Sequence, residues 1–261
     1  MAESRKTLYW LFAYVLLVIA AFYFRESLGR LNDVISIITP AITVYFGYKA
    51  YKFFGSKSLQ GKSILLITIC MGLFLFGDFY WILHDKEVIS IADLLWLLGY
   101  PFFIVGIYLG VIIIDPDFFK QRKNMLVTGL LLIVAAMYLK FFPLSWNSEA
   151  GFLENLVTYG YVIADVMLLF FTLLVVYVSY LIRSGKYFKF WVAVGIGNIL
   201  FLVADSLYAI NYATYISGDF VDMIWILGYI AYAIGFIILV DNASNAIETA
   251  NSLIKTKLKR K

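Results

Sequence analysis

The sequence holds one cysteine, Cys70, inside an apolar run, and one histidine, His84. A single thiol excludes an internal disulfide and a thiolate metal cluster, and a single imidazole excludes a multi-histidine site within one chain. No lysine lies midway along an apolar run, Lys140 standing at the end of one, so nothing is placed to hold a retinal. A nucleophile elbow, a phosphate loop, a zinc-protease helix and nucleic-acid motifs are also lacking. With no base–nucleophile pair in view, an enzyme is not expected, and a lipid-directed intramembrane enzyme is poorly supported. His84, followed by Asp85, Glu87 and Asp93, is one imidazole among carboxylates and reads as a solvated loop residue. No metal and no particular cofactor is indicated, and nucleic acid is not an expected partner.

What the chain has in abundance is apolar surface. Of its 261 residues 63% are hydrophobic, and the mean hydropathy is +0.87. Soluble domains sit near about 45–50% apolar, so this composition reads as a membrane protein with the lipid bilayer as its first partner. A helix needs about 20 apolar residues to cross the hydrocarbon core. Eight stretches qualify, approximately 8–24, 34–54, 62–83, 94–114, 124–142, 154–182, 187–209 and 222–240. The first follows Arg5 and Lys6 without a small-residue cleavage site and is kept as a span.

Net charge, +4, matters less here than its distribution. With the N-terminus inside, the inner segments carry 17 of the 21 Lys and Arg, and the outer ones only Arg25, Arg30, Lys86 and Lys140. The outer side is acidic instead, with Asp33, Asp85, Glu87, Glu149, Glu154 and Asp219. The expectation is a multi-pass plasma-membrane protein with both termini cytoplasmic.

The chain also repeats itself. Asp78, then Asp93-Leu94-Leu95-Trp96-Leu97-Leu98-Gly99-Tyr100, returns as Asp205, then Asp222-Met223-Ile224-Trp225-Ile226-Leu227-Gly228-Tyr229. The offset is 127 residues at the first Asp and 129 at the second, and Gly106 and Gly235 follow at matching distance. Such self-similarity points to duplication. Four spans per copy enter the membrane in the same direction, so the copies form a parallel repeat. The expected fold is all-α: a polytopic bundle of eight transmembrane helices in one domain over 1–241, with repeats 1–123 and 124–241. Residues 242–261 follow as a cytoplasmic amphipathic helix, with Ala243, Ile247, Ile254 and Leu258 on one face and five basic residues from Lys255 onward to meet anionic headgroups.

Each copy brings two carboxylates and a Trp into one outer layer. Asp93 and Asp222 fit helix N-caps, and Trp96, Tyr100, Trp225 and Tyr229 fit an aromatic belt. Gly99, Gly106, Gly228 and Gly235 permit close helix packing. Asp78 and Asp205 stand at span ends, where the helix dipole does not favour a carboxylate. They must face the bundle or a wet cavity, either as part of a ligand, proton or cation pocket or as acceptors for Tyr and Trp donors that join the spans. Asp165 is the deepest charge. With Tyr161, Asn198 and Asp205 it suggests a polar track from mid-membrane to the outer face.

The repeated Asp, Trp, Gly and Tyr positions in the third, fourth, seventh and eighth spans resemble the multi-pass membrane input modules that precede PAS, diguanylate cyclase, phosphodiesterase or histidine kinase domains in prokaryotic signalling proteins. That resemblance implies a membrane sensor. No output domain follows through Lys261, so the expected signal passes to a separate partner, a cytoplasmic or membrane protein, through 242–261; a homodimer is a further expectation. The competing expectations are a small-solute or ion transporter built on the parallel repeat, and a scaffold subunit of a membrane complex.

Overall fold

A computed structural model of the protein describes residues 2–24, 31–84, 89–141, 151–181, 185–211, 215 and 218–258. Among these the regular structure is helical throughout. The elements are α1 (Ala2–Tyr23), α2 (Leu31–Phe54), α3 (Leu59–Leu83), α4 (Ile91–Ile114), α5 (Arg122–Phe141), α6 (Phe152–Leu181), α7 (Gly185–Asn211) and α8 (Phe220–Leu258), with a 3-10 turn at Phe118–Lys120.

Six of these, α3 to α8, contain segments long and apolar enough to cross a membrane. At 1.5 Å per residue the 25 residues of α3 span about 37 Å, more than the roughly 30 Å hydrocarbon core. This is a multi-pass helical membrane protein. In α1 the apolar stretch is shorter, Tyr9–Tyr23, and α2 carries Asp33, Lys49 and Lys52 towards its ends. α8 runs on without a break for 39 residues, so the polar stretch after Asp241 continues the last apolar helix through Leu258.

The helices pack because each offers a stripe of large apolar side chains to the middle. α3 packs along α4 and α7 along α8, α2 lies between α3 and α8, and α6 lies between α7 and α4. The main core joins Ile64, Ile67, Met71 and Phe74 of α3 to Phe103 and Ile107 of α4, Leu174 and Val178 of α6, Phe190 and Trp191 of α7, and Tyr232 and Phe236 of α8. A smaller cluster holds α1 to the bundle through Val18, Ala21, Phe22, Ile35, Ile226 and Ile230. α5 is the most peripheral helix, exposing Leu126, Leu130, Ile133 and Val134 in a surface suited to lipid.

Two rings mark the centre. Phe74 of α3 and Phe201 of α7 stack with centroids 5.8 Å apart, and each lies against a glycine of the neighbouring helix. A Cβ at Gly99 would come within 2.6 Å of Phe74, and one at Gly228 within 2.6 Å of Phe201. The glycines expected to permit close packing therefore admit these two rings. Two hydroxyls along this interior donate to backbone carbonyls of a neighbouring helix. Thr43 donates to the Tyr229 carbonyl at 2.9 Å, and Ser63 donates to the Gly106 carbonyl at 2.7 Å.

Candidate functional site

α2, α4, α6 and α8 begin, and α3 and α7 end, at the same end of the bundle. The local sequence fixes these starts. Ser90 caps α4, its hydroxyl accepting from Ala92 N–H, while Asp93 reaches back to accept from Ser90 N–H at 2.8 Å, a capping box. Asp222 is likewise the third residue of α8. It accepts from Gly218 N–H and from the Tyr215 hydroxyl at 2.6 Å. Both acids were expected as N-caps; each sits one turn further in, where a longer reach closes the preceding loop. Gly218 has a φ of +87° in that loop, a conformation other residues rarely adopt. Burial, then the Asp222 carboxylate beside it, pushes the Tyr215 hydroxyl above its ordinary range, so it stays protonated and donates. Replacing Asp93 with Ala removes the capping box and the acceptor of Tyr161. It is expected to cost about 1–2 kcal/mol, read as a lower unfolding midpoint in detergent.

The inner carboxylates are held by donors from two directions. Asp78 accepts the Trp96 indole N–H at 2.9 Å on one oxygen and the Tyr229 hydroxyl at 2.9 Å on the other. Asp205 accepts the Trp225 indole N–H on one oxygen, and the Tyr100 hydroxyl lies 3.2 Å from the other. Each acid thus takes an indole from the helix next in sequence and a phenol from the other half of the chain. Gly77 makes room for the first pair, since a Cβ there would fall on the Trp96 indole.

Below them the Tyr100 hydroxyl donates to Asp165 Oδ1 at 2.8 Å. Asp165 is 1% exposed, and its Oδ2 meets no donor among the described residues. The expected polar track therefore differs in its middle. Tyr100 of α4, rather than Tyr161, joins Asp165 to Asp205. Tyr161 donates to Asp93 at 2.9 Å, and Asn198 is enclosed with Thr172 and Tyr232. Residues on one helix face share a direction, but the nearest partner is set by whichever neighbouring helix approaches there.

A cavity of about 270 Å³ occupies this end of the bundle. All eight residues expected to contact a ligand line it: Asp78, Asp93, Trp96 and Tyr100 from α3 and α4, and Asp205, Asp222, Trp225 and Tyr229 from α7 and α8. Tyr161 joins them, whereas Asp165 and Asn198 lie deeper in the bundle and are not among the lining residues. The structure adds residues that the sequence did not single out for the site, notably Asn32, Trp81, Tyr208 and Tyr215. Asp33 and Glu154, which count towards the acidic outer side, also prove to line it. Their signal was present as charge at helix starts, without anything to mark a shared cavity.

His84 ends α3 away from these carboxylates' donors, exposed and stacked on Tyr80 with centroids 4.3 Å apart. Its expected acidic neighbours Asp85 and Glu87 lie outside the described residues. Among the described residues no three His, Cys, Asp or Glu side chains converge as metal ligands.

No family model, curated protein or solved structure matches this chain.

Proposed function

We propose that this is a membrane sensor: a ligand enters the cavity at the acidic end, and the occupied state is passed along α8 to a partner beyond the opposite membrane face. The reading takes all eight helices as spans in two parallel repeats of four, in a plasma membrane, with both termini cytoplasmic and the cavity facing out. The exchanged donors support the repeat, because Tyr100 and Tyr229 occupy equivalent positions and each serves the other half's carboxylate. The basic residues concentrated at the opposite end support the orientation.

The observation that carries the sensor reading is the continuity of α8. One unbroken helix holds Asp222, Trp225 and Tyr229 in the cavity wall and then runs to Leu258. From Asp222 to Leu258 is about 54 Å of helix, well beyond the hydrocarbon core. A tilt or slide imposed by a ligand at one end would reach the other without a hinge, and helix displacements of about 1–2 Å suffice in known switches.

The test fills the cavity by mutation and needs no ligand. Ala209→Phe places a ring among the lining residues. Spin labels attached through Tyr180→Cys on α6 and Glu248→Cys on α8, both exposed positions, report the far ends. A shift of about 1–2 Å or more in the label distance is expected in the filled variant; an unchanged distribution would remove the basis for signalling through α8.

A second reading, transport of a small solute or ion, is favoured by one observation, the Asp165 and Asp205 carboxyls that face one Tyr100 hydroxyl in the interior. Two interior carboxyls joined through one phenol offer a place to hold a proton, which a proton-coupled carrier could use. Solute accumulation in proteoliposomes beyond that of empty vesicles would favour it over the sensor.

A further inference from the structure

The chemistry of the cavity wall narrows what can bind. Among the described lining residues eleven are aromatic and six are acidic, and none is Lys, Arg or His. An anionic ligand would find no counter-charge among these described residues. A bare metal ion would find no converging set of ligands among the described residues, and aromatic faces offer little to a hydrated one.

The six acids are not alike. Asp78, Asp93, Asp205 and Asp222 already accept from indole, phenol or backbone donors. Asp33 and Glu154, at the first turns of α2 and α6, are partly exposed and have no side-chain donor and no ion-pair partner among the described residues. They stand on opposite halves of the chain at the rim of one cavity. A second, independent feature lies beside them. The eleven aromatic residues of the wall come from five helices, α3, α4, α6, α7 and α8, and from Tyr215.

We propose that the cavity binds a small organic ammonium ion. The cationic head is held among the aromatic faces, with Asp33 and Glu154 supplying the opposite charge. Cation–π attraction is strongest over Trp, and Trp81, Trp96 and Trp225 all line the wall. A volume of about 270 Å³ lies at the low end of ordinary ligand pockets, which selects a compact cation. This assignment rests on the cavity being a ligand site, as in the sensor reading, but not on its coupling to α8.

The experiment compares choline chloride with its neutral isostere 3,3-dimethylbutan-1-ol at matched ionic strength, on the full chain in lipid nanodiscs. Tryptophan fluorescence and calorimetry follow binding. Choline is expected to bind at least about tenfold more tightly than the alcohol, a difference within the range of a desolvated cation–π contact. Asp33→Asn with Glu154→Gln should weaken choline about tenfold while leaving the unfolding midpoint unchanged, because neither side chain holds another described residue. Equal affinity for choline and the alcohol would overturn the cation assignment while leaving a ligand cavity in place. Failure to bind choline at all would also overturn it. The label distances under Ala209→Phe stay independent, so loss of the sensor reading and loss of the cation assignment are separable results.

Discussion

Tyr100→Phe is expected to lower the stability of the bundle by about 2–4 kcal/mol, more than any other loss of a single hydroxyl in the interior. The removed oxygen sits between two buried carboxyls, donating to Asp165 at 2.8 Å and lying 3.2 Å from Asp205. Without it Asp165 Oδ1 loses its donor, and Oδ2 has none among the described residues to compensate. The volume change is one oxygen atom, so the loss measures the polar link and not a cavity. Tyr229→Phe is the matched comparison. It takes one donor from Asp78, which keeps the Trp96 indole, and is expected to cost about 1–3 kcal/mol. Adding Asp165→Asn to Tyr100→Phe should restore at least about 1 kcal/mol, because a carboxamide can donate to Asp205. Chemical unfolding in mixed micelles checks the order. A cost below about 0.5 kcal/mol for Tyr100→Phe, or no recovery in the double variant, would mean that Tyr100 does not join the two acids.

The second large effect comes from a pair of glycines on one helix. Gly77→Ala puts a methyl group onto the Trp96 indole, 2.6 Å from its Cδ1, where no real Cβ contact is found. The indole cannot retreat freely, since Trp81 and Tyr161 pack against it with centroids 6.0 and 6.4 Å away. To relieve the clash it must leave Asp78. Overpacking costs about 1–3 kcal/mol and the orphaned acceptor about 1–3 more, against about 1 kcal/mol regained from helix propensity. Gly72→Ala, five residues earlier on α3, meets nothing within 4 Å. There only the propensity gain remains, so the change should be neutral or stabilising by up to about 1 kcal/mol. Opposite signs for the two substitutions are the expected result of thermal unfolding in detergent. A destabilised Gly72→Ala, or a harmless Gly77→Ala, would contradict the packing around Trp96. Gly77→Ala should also enlarge or distort the cavity, so any cation bound there should weaken with it.

Much of the site could be read from the order of residues. The acids Asp78 and Asp205 were conspicuous because a carboxylate at the end of an apolar helix must find donors inside the protein. The alternative of Tyr and Trp donors, also drawn from sequence, matches the hydrogen bonds observed. The eight repeated residues share one cavity because helix starts and ends alternate along the chain, so polar residues placed at those ends collect at one side. Asp33 and Glu154 were legible only as charge, since nothing in a linear pattern says which helix starts will lie beside each other. Asn198 is the converse case. Its depth and helix face suggested membership in a track, but Thr172 on α6 and Tyr232 on α8 approach closely enough to enclose it.

By itself the sequence determined the membrane-embedded helical character and the layer of acids and aromatics at one end; of the eight apolar stretches it offered as spans, six form helices long and apolar enough to cross a membrane. Hydropathy and spacing are local quantities, and a helix satisfies its own backbone wherever it goes. Only the tertiary structure decided which donor serves which acid. Tyr100 reaches Asp205 across 105 positions, and Tyr229 reaches Asp78 across 151. A hydrogen bond extends about 3 Å, so these partners depend on how closely helices from the two halves approach. That approach is set by the Phe74–Phe201 stack and the glycines that admit it.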